Sequence, residues 1–174
     1  MDGALKSGIS IHELKECARK LQCLDAYFEW LLTRADGKSE NGGESFVRGM
    51  IIAMGFRAPE IQVVFSVDGI TYRVDFLWRL PDGRIIVLEL DGRDKYVDPT
   101  MTHGKSAAQI AVKQSDRDEF LRSQGVDTII HTLFEEACPQ VPLFMKLVRA
   151  GVPWDGIPAP LMHQAHRCEG SWAA

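Results

Sequence analysis

"RVDFLWRLPDGRIIVLELDG" (Arg73–Gly92) decides the fold: two runs rich in β-branched and aromatic residues flank the turn tripeptide Pro81-Asp82-Gly83. With the turn centred on Asp82, Asp75 stands opposite Glu89 and Arg73 opposite Asp91. Alternation along each strand then sets all four on one face. The other face carries Val74, Phe76 and Trp78 against Ile86, Leu88 and Leu90, a continuous apolar surface. Carboxylates are disfavoured in the middle of strands. Two of them directly opposed, with Cβ atoms roughly 4.5–5.5 Å apart, repel each other and require a shared proton, a cation or a different register. A slip of one residue would part Asp75 from Glu89. Solvation of Asp75 at a strand end, with Asp91 paired to Arg73, would also remove the conflict. A divalent cation answers it best. Mg²⁺ (or Mn²⁺) is a hard ion held by one or two carboxylates, with waters and phosphate oxygens completing its shell. Such an ion polarises a phosphodiester and acidifies an attacking water.

Working outward, "IQVVFSV" before the turn residues Asp68-Gly69 adds a first strand, so three strands form a meander. "VDTIIHTL" reads as a fourth strand, reached through a loop from Arg93 to Gly104 and a helix that ends before Gly125. "LFEEACPQVPLFMKLVRAG" reads as a helix interrupted by Pro139 and Pro142. Upstream, "ESFVRGMIIAMGF" is helical by the spacing of Phe46, Val47, Met50, Ile51 and Met54, with Gly55 as its stop. Ser10 and Glu13 form a capping box ahead of Leu14, Cys17, Ala18 and Leu21, and Asp25 caps a further helical piece. The expected architecture is α/β: a mixed sheet flanked by helices in the order helix, three strands, helix, strand, helix, after an N-terminal helical extension. The polar run Arg34–Gly43 marks a boundary. It divides the chain into an extension (1–38), a core with its C-terminal helix (39–151) and a polar tail (152–174).

The 174 residues are enough for one well-buried core. The chain is 45% hydrophobic and 25% charged, a globular composition with no apolar run near the roughly 20 residues that span a bilayer. "MDGALKSGIS" has no apolar h-region, and the four cysteines form no CxxC pair. Both features point to a cytoplasmic protein with reduced thiols. A formal charge of −4 excludes gripping nucleic acid by bulk electrostatics but leaves room for a local basic groove.

Two more stretches supply candidate site residues. Glu44, in the first turn of its helix, is favoured by the macrodipole and borders the apolar face together with Arg48. The same spacing also suits an (i, i+4) surface ion pair. In "IAVKQSDRDEFLRSQG", Lys113 and Arg117 lie in one narrow arc, and Gln114 and Arg117 lie on the adjoining stripe with Ile110 and Leu121. Long basic side chains there either reach a phosphate or snorkel to solvent.

Glu44 on a helix, Asp75 in a strand, Glu89-Leu90-Asp91 in the next and a Lys/Gln/Arg helix, in this order, resemble the PD-(D/E)XK nuclease superfamily, in particular its very-short-patch-repair-like branch. "ELDGRDKY" and "DRDEFLRSQG" look more narrowly like the C-terminal domain of actinobacterial type IV abortive-infection antitoxins. The resemblance implies a restriction-endonuclease-like α-β-β-β-α-β core that hydrolyses DNA with Mg²⁺ or Mn²⁺. It assigns the metal to Asp75 and Glu89, with Glu44 in support and Arg48, Gln114 and Arg117 on the substrate. Asp91 stands where many members carry the motif lysine, and Lys95 or Lys113 could substitute by position. That departure keeps a second reading open: a catalytically silent nuclease-fold module, an antitoxin or regulatory domain that binds a protein partner or DNA. The antitoxin-like proteins carry an N-terminal winged-helix domain, for which too few residues precede Glu44. The chain is then either a stand-alone relative or the C-terminal piece of a longer protein.

His163, His166 and Cys168 offer three zinc-type ligands without a spaced partner cluster and are set aside. His131 and His103 read as lone histidines, and Trp30 and Trp78 as core.

Overall fold

A computed structural model of the chain describes residues 1–91 and 107–158. The chain divides into two compact units, one running from Met1 to Arg57 and including the segment from Trp154, the other comprising Ala58–Pro153. No helix among the described residues is long and apolar enough to cross a membrane.

The first unit is helical: α1 (Asp2–Lys6), α2 (Ile11–Lys20), α3 (Ala26–Leu32) and α4 (Gly42–Ala53). Its helix starts are set by side chains that accept otherwise orphaned N–H groups. Ser10 and Glu13 form the reciprocal box of α2, Asp25 accepts from Phe28 N–H at 2.8 Å to open α3, and Asn41 accepts from Glu44 N–H at 3.0 Å to open α4. Sequence periodicity did not reveal α1, a single short turn of helix whose Asp2 is buried. After α4 the chain reverses at Gly55, which has φ +90°. A Cβ there would meet the Gly156 backbone at 2.6 Å, so only glycine allows the Phe56–Trp154 bridge to form beside it.

The second unit is an α/β layer with one open mixed sheet in the order β1-β2-β3-β4. Strands β1 (Glu60–Val67), β2 (Ile70–Arg79) and β3 (Ile85–Asp91) form the expected antiparallel meander. The chain then reaches α5 (Ala107–Ser123) and returns as β4 (Thr128–Leu133), parallel to β3. Asp127 fixes the start of that parallel pair: its N–H donates to Ile85 O at 2.9 Å, and its carboxylate accepts from Ile85 N–H at 2.7 Å. Two short helices follow, α6 (Phe134–Ala137) and α7 (Val141–Ala150), separated near Pro139 and Pro142 as the sequence predicts.

Both faces of the sheet are buried at its centre. Phe76, Trp78, Ile86 and Leu88 are at most 3% exposed, and so are Leu77 and Val87, which cluster with Leu121 of α5 and with Val126. Val74 joins that second cluster, although strict alternation assigns it to the face of Phe76 and Trp78. The irregularity extends across the sheet. Gln62 of β1 takes a left-handed φ of 56°, and the β1–β2 pairing skips from Ile61↔Phe76 to Val63↔Val74. Regular pleating is therefore interrupted beside Asp75.

Candidate functional site

The β2–β3 ladder runs from Arg79↔Ile85 to Phe76↔Leu88, the register of a turn centred on Asp82. One residue further on, the side chain of Asp75 takes over from the backbone. Its Oδ2 accepts from Leu90 N–H at 2.8 Å, so the carboxylate lies against the Glu89-Leu90 segment of the neighbouring strand. The strand-centred aspartate is tolerated because it satisfies the part-buried N–H of Leu90.

Glu89 is only 5% exposed. Arg117, from the middle of α5, donates from Nη2 to Glu89 Oε1 at 2.6 Å and to Arg73 O at 2.6 Å, with its guanidinium 5.8 Å from the centre of the Tyr72 ring. Burial nevertheless dominates: it pushes the Glu89 carboxyl up to about 8, against the pull of Arg117 and with help from the nearby charges of Asp75 and Asp91.

The parallel pairing sets His131 of β4 beside Glu89. Its Nδ1 is 3.4 Å from Asp91 Oδ2 and its Nε2 3.1 Å from Asp118 Oδ2, while the Gln114 amide lies 2.7 Å from Nδ1. The bond to Asp91, reinforced by that to Asp118, holds the imidazole above its ordinary value despite partial burial. His131 is thus the hub of a polar cluster and not a lone histidine. Lys146 of α7 fixes its backbone, donating to His131 O at 2.8 Å and to Glu136 Oε2 at 2.6 Å. Asp118 Oδ1 and Arg117 Nε are buried and make no hydrogen bond among the described residues.

Of the residues expected at the site, Asp75, Glu89, Gln114 and Arg117 meet in this unit. Asp91 is present as a partner of His131, and Lys113 is exposed on α5. Lys95 lies outside the described residues, as do His103, His163, His166 and Cys168. Glu44 and Arg48 belong to the first unit. There Glu44 is buried, accepting from Glu40 N–H at 2.6 Å and from Asn41 Nδ2 at 2.8 Å, a reciprocal cap for α4. The ion pair of Arg48 is with Asp2, at 3.7 Å, and not with Glu44 four residues before it. Sequence reading missed Asp118 and the part played by His131. The available signal was a polar residue in mid-strand: Ile130-His131-Thr132 parallels Leu88-Glu89-Leu90 in placing one ionisable group inside an apolar run.

Among the described residues no group of three or more His, Cys, Asp or Glu side chains is arranged to hold a metal ion. Ligation would therefore rest on Asp75 and Glu89, with other ligands from solvent or substrate, which is the habit of Mg²⁺. No protein-family description, curated protein or solved structure matches the chain.

Proposed function

We propose that the second unit is a restriction-endonuclease-like domain of the PD-(D/E)XK type and that it hydrolyses DNA phosphodiesters with Mg²⁺ or Mn²⁺. The observation that carries this reading is the placement of two carboxylates on neighbouring strands, Asp75 held against the Glu89-Leu90 segment by Leu90 N–H and Glu89 buried against Arg117. Asp75 and Glu89 would offer a hard divalent cation the oxygen donors it prefers. When bound, the ion supplies polarisation of the phosphodiester and acidification of a water. The chain's own residues do the rest. Arg117 holds Glu89 in place from α5, Leu90 N–H orients Asp75, and His131 offsets the charge of Asp91 at the position of the motif lysine. The exposed Lys113 on the same helix is the described candidate for a phosphate contact.

One observation favours a second reading, a silent nuclease-fold module that acts through a protein partner or by binding DNA. Arg117 already occupies one oxygen of Glu89, and Asp91 replaces the lysine that would position the water. Nicking of supercoiled plasmid in Mg²⁺ and Mn²⁺, together with Mn²⁺ calorimetry, separates the two. Metal-dependent nicking lost in Asp75→Ala and in Glu89→Ala supports the nuclease. A folded wild type that binds no Mn²⁺ at millimolar concentration and nicks nothing supports the silent module.

A further inference from the structure

The first unit contains a cavity of about 390 Å³, lined entirely by that unit. One stripe of α4 forms its floor, Ser45, Arg48, Gly49 and Ile52, at the i, i+3, i+4, i+7 spacing of a single helix face. Residues of α1 and α3 close the sides, with Trp30 and Leu31 among the apolar ones. Trp30 is therefore a half-buried wall residue and not the core residue its type suggests.

The cation in this wall is under-partnered. The Arg48 side chain is 10% exposed, its Nε is buried without a hydrogen bond, and among the described residues its guanidinium donates to no acceptor. Asp2, at 3.7 Å, is beyond hydrogen-bond distance and has other donors: Asp36 N–H at 3.0 Å and Ser39 Oγ at 3.4 Å. Two other cationic side chains of the lining are committed. Lys6 Nζ donates to Ser39 O and Glu40 O, and Arg34 lies 4.6 Å over the Trp30 ring while donating to Trp30 O. A guanidinium has five donors in a fork suited to a carboxylate or phosphate, and leaving it buried without acceptors is unfavourable.

We propose that this cavity binds a small organic oxyanion, its carboxylate or phosphate on Arg48 and its flat apolar body against Trp30 and Ile52. The size agrees, since small-molecule sites run from roughly 300 Å³ upward and combine apolar walls with a few placed polar groups. Glycine keeps the site open. Gly49 has no side chain, and a Cβ built there meets nothing within 4 Å. The proposal is independent of the phosphodiesterase reading, because every residue it uses lies in the first unit.

The test is titration of the whole chain, in EDTA, with benzoate, phenyl phosphate and neutral benzamide, followed by calorimetry and amide NMR shifts. EDTA removes any contribution from a metal centre. Saturable binding of an anionic probe, with benzamide at least about ten-fold weaker, is the expected result. Arg48→Met removes the preference for the anion. Gly49→Leu fills the cavity and abolishes binding of all three, and it decides the matter if Arg48→Met fails to fold by circular dichroism. Absence of saturable binding, equal affinity for benzamide and the anions, or unchanged anion binding in folded Arg48→Met or Gly49→Leu each overturns the proposal.

Discussion

At Glu89 three influences compete for one proton: burial and the neighbouring carboxylates favour keeping it, and Arg117 favours releasing it. Burial wins, so the folded metal-free protein keeps a proton on Glu89 up to about pH 8, whereas the unfolded chain loses it near the ordinary value of 4.5. The folded state therefore binds more protons between those values, and stability falls as pH rises through that window. His131, whose proton is held by Asp91 and Asp118, acts in the same direction above its ordinary value of 6.5. Urea unfolding in EDTA is expected to show a lower midpoint near pH 8 than near pH 5, with most of the difference gone in Glu89→Gln. A wild-type midpoint flat across this range would contradict the assignment. Millimolar Mn²⁺ is expected to restore stability on the alkaline side, where the carboxylate is free to ligate. Above about pH 8, where Glu89 is ionised, Arg117→Ala removes its main countercharge and is expected to cost roughly 1–3 kcal/mol. A double-mutant cycle with Glu89→Gln checks this, since the second substitution should recover most of the loss.

Among the elements, the meander and the fourth strand were legible from β-branched and aromatic runs bounded by turn chemistry, the crossover helix from its stop at Gly125, and the break after the fourth strand from its prolines. The short α1 was not, since a single turn carries no period to read. The interruption beside Asp75 was hidden for another reason: a left-handed Gln62 leaves no mark in the hydrophobic pattern of β1. In α4 the middle of the helix carries a glycine with open space around its missing Cβ. Gly49→Ala is accordingly expected to stabilise the protein by about 1 kcal/mol, read as a higher denaturation midpoint with unchanged slope. No gain would mean that the cavity wall adjusts around this position.

For the molecule as a whole, the formal charge of −4 limits how it can hold a polyanion. If the second unit works on DNA, its contacts are few and local, with Lys113 and Arg122 exposed cations on α5. The logarithmic salt dependence of binding should then have a shallow slope, corresponding to about two or three phosphates. Fluorescence anisotropy with a labelled duplex between low and moderate salt measures it, and a slope several times steeper would point to a broad basic surface that the sequence lacks. The register of the β2–β3 hairpin, and with it the nearness of Asp75 to the Glu89-Leu90 segment, could be read from local turn chemistry. The ring of Asp91, Asp118 and His131 could not. Those residues come from β3, α5 and β4, and only a parallel strand pairing brings them together.

That parallel pairing has a kinetic consequence. The β1-β2-β3 meander closes through tight turns and can form early, whereas β4 must wait for the chain between β3 and β4, including α5, to be looped back. Glu89 and His131 become neighbours only in that late event. The cluster is thus a clock for the end of folding. In a refolding experiment, amide protons of Ile129–Thr132 should be the last of the sheet to gain protection from exchange, in the slowest phase and after β-sheet circular dichroism has largely recovered.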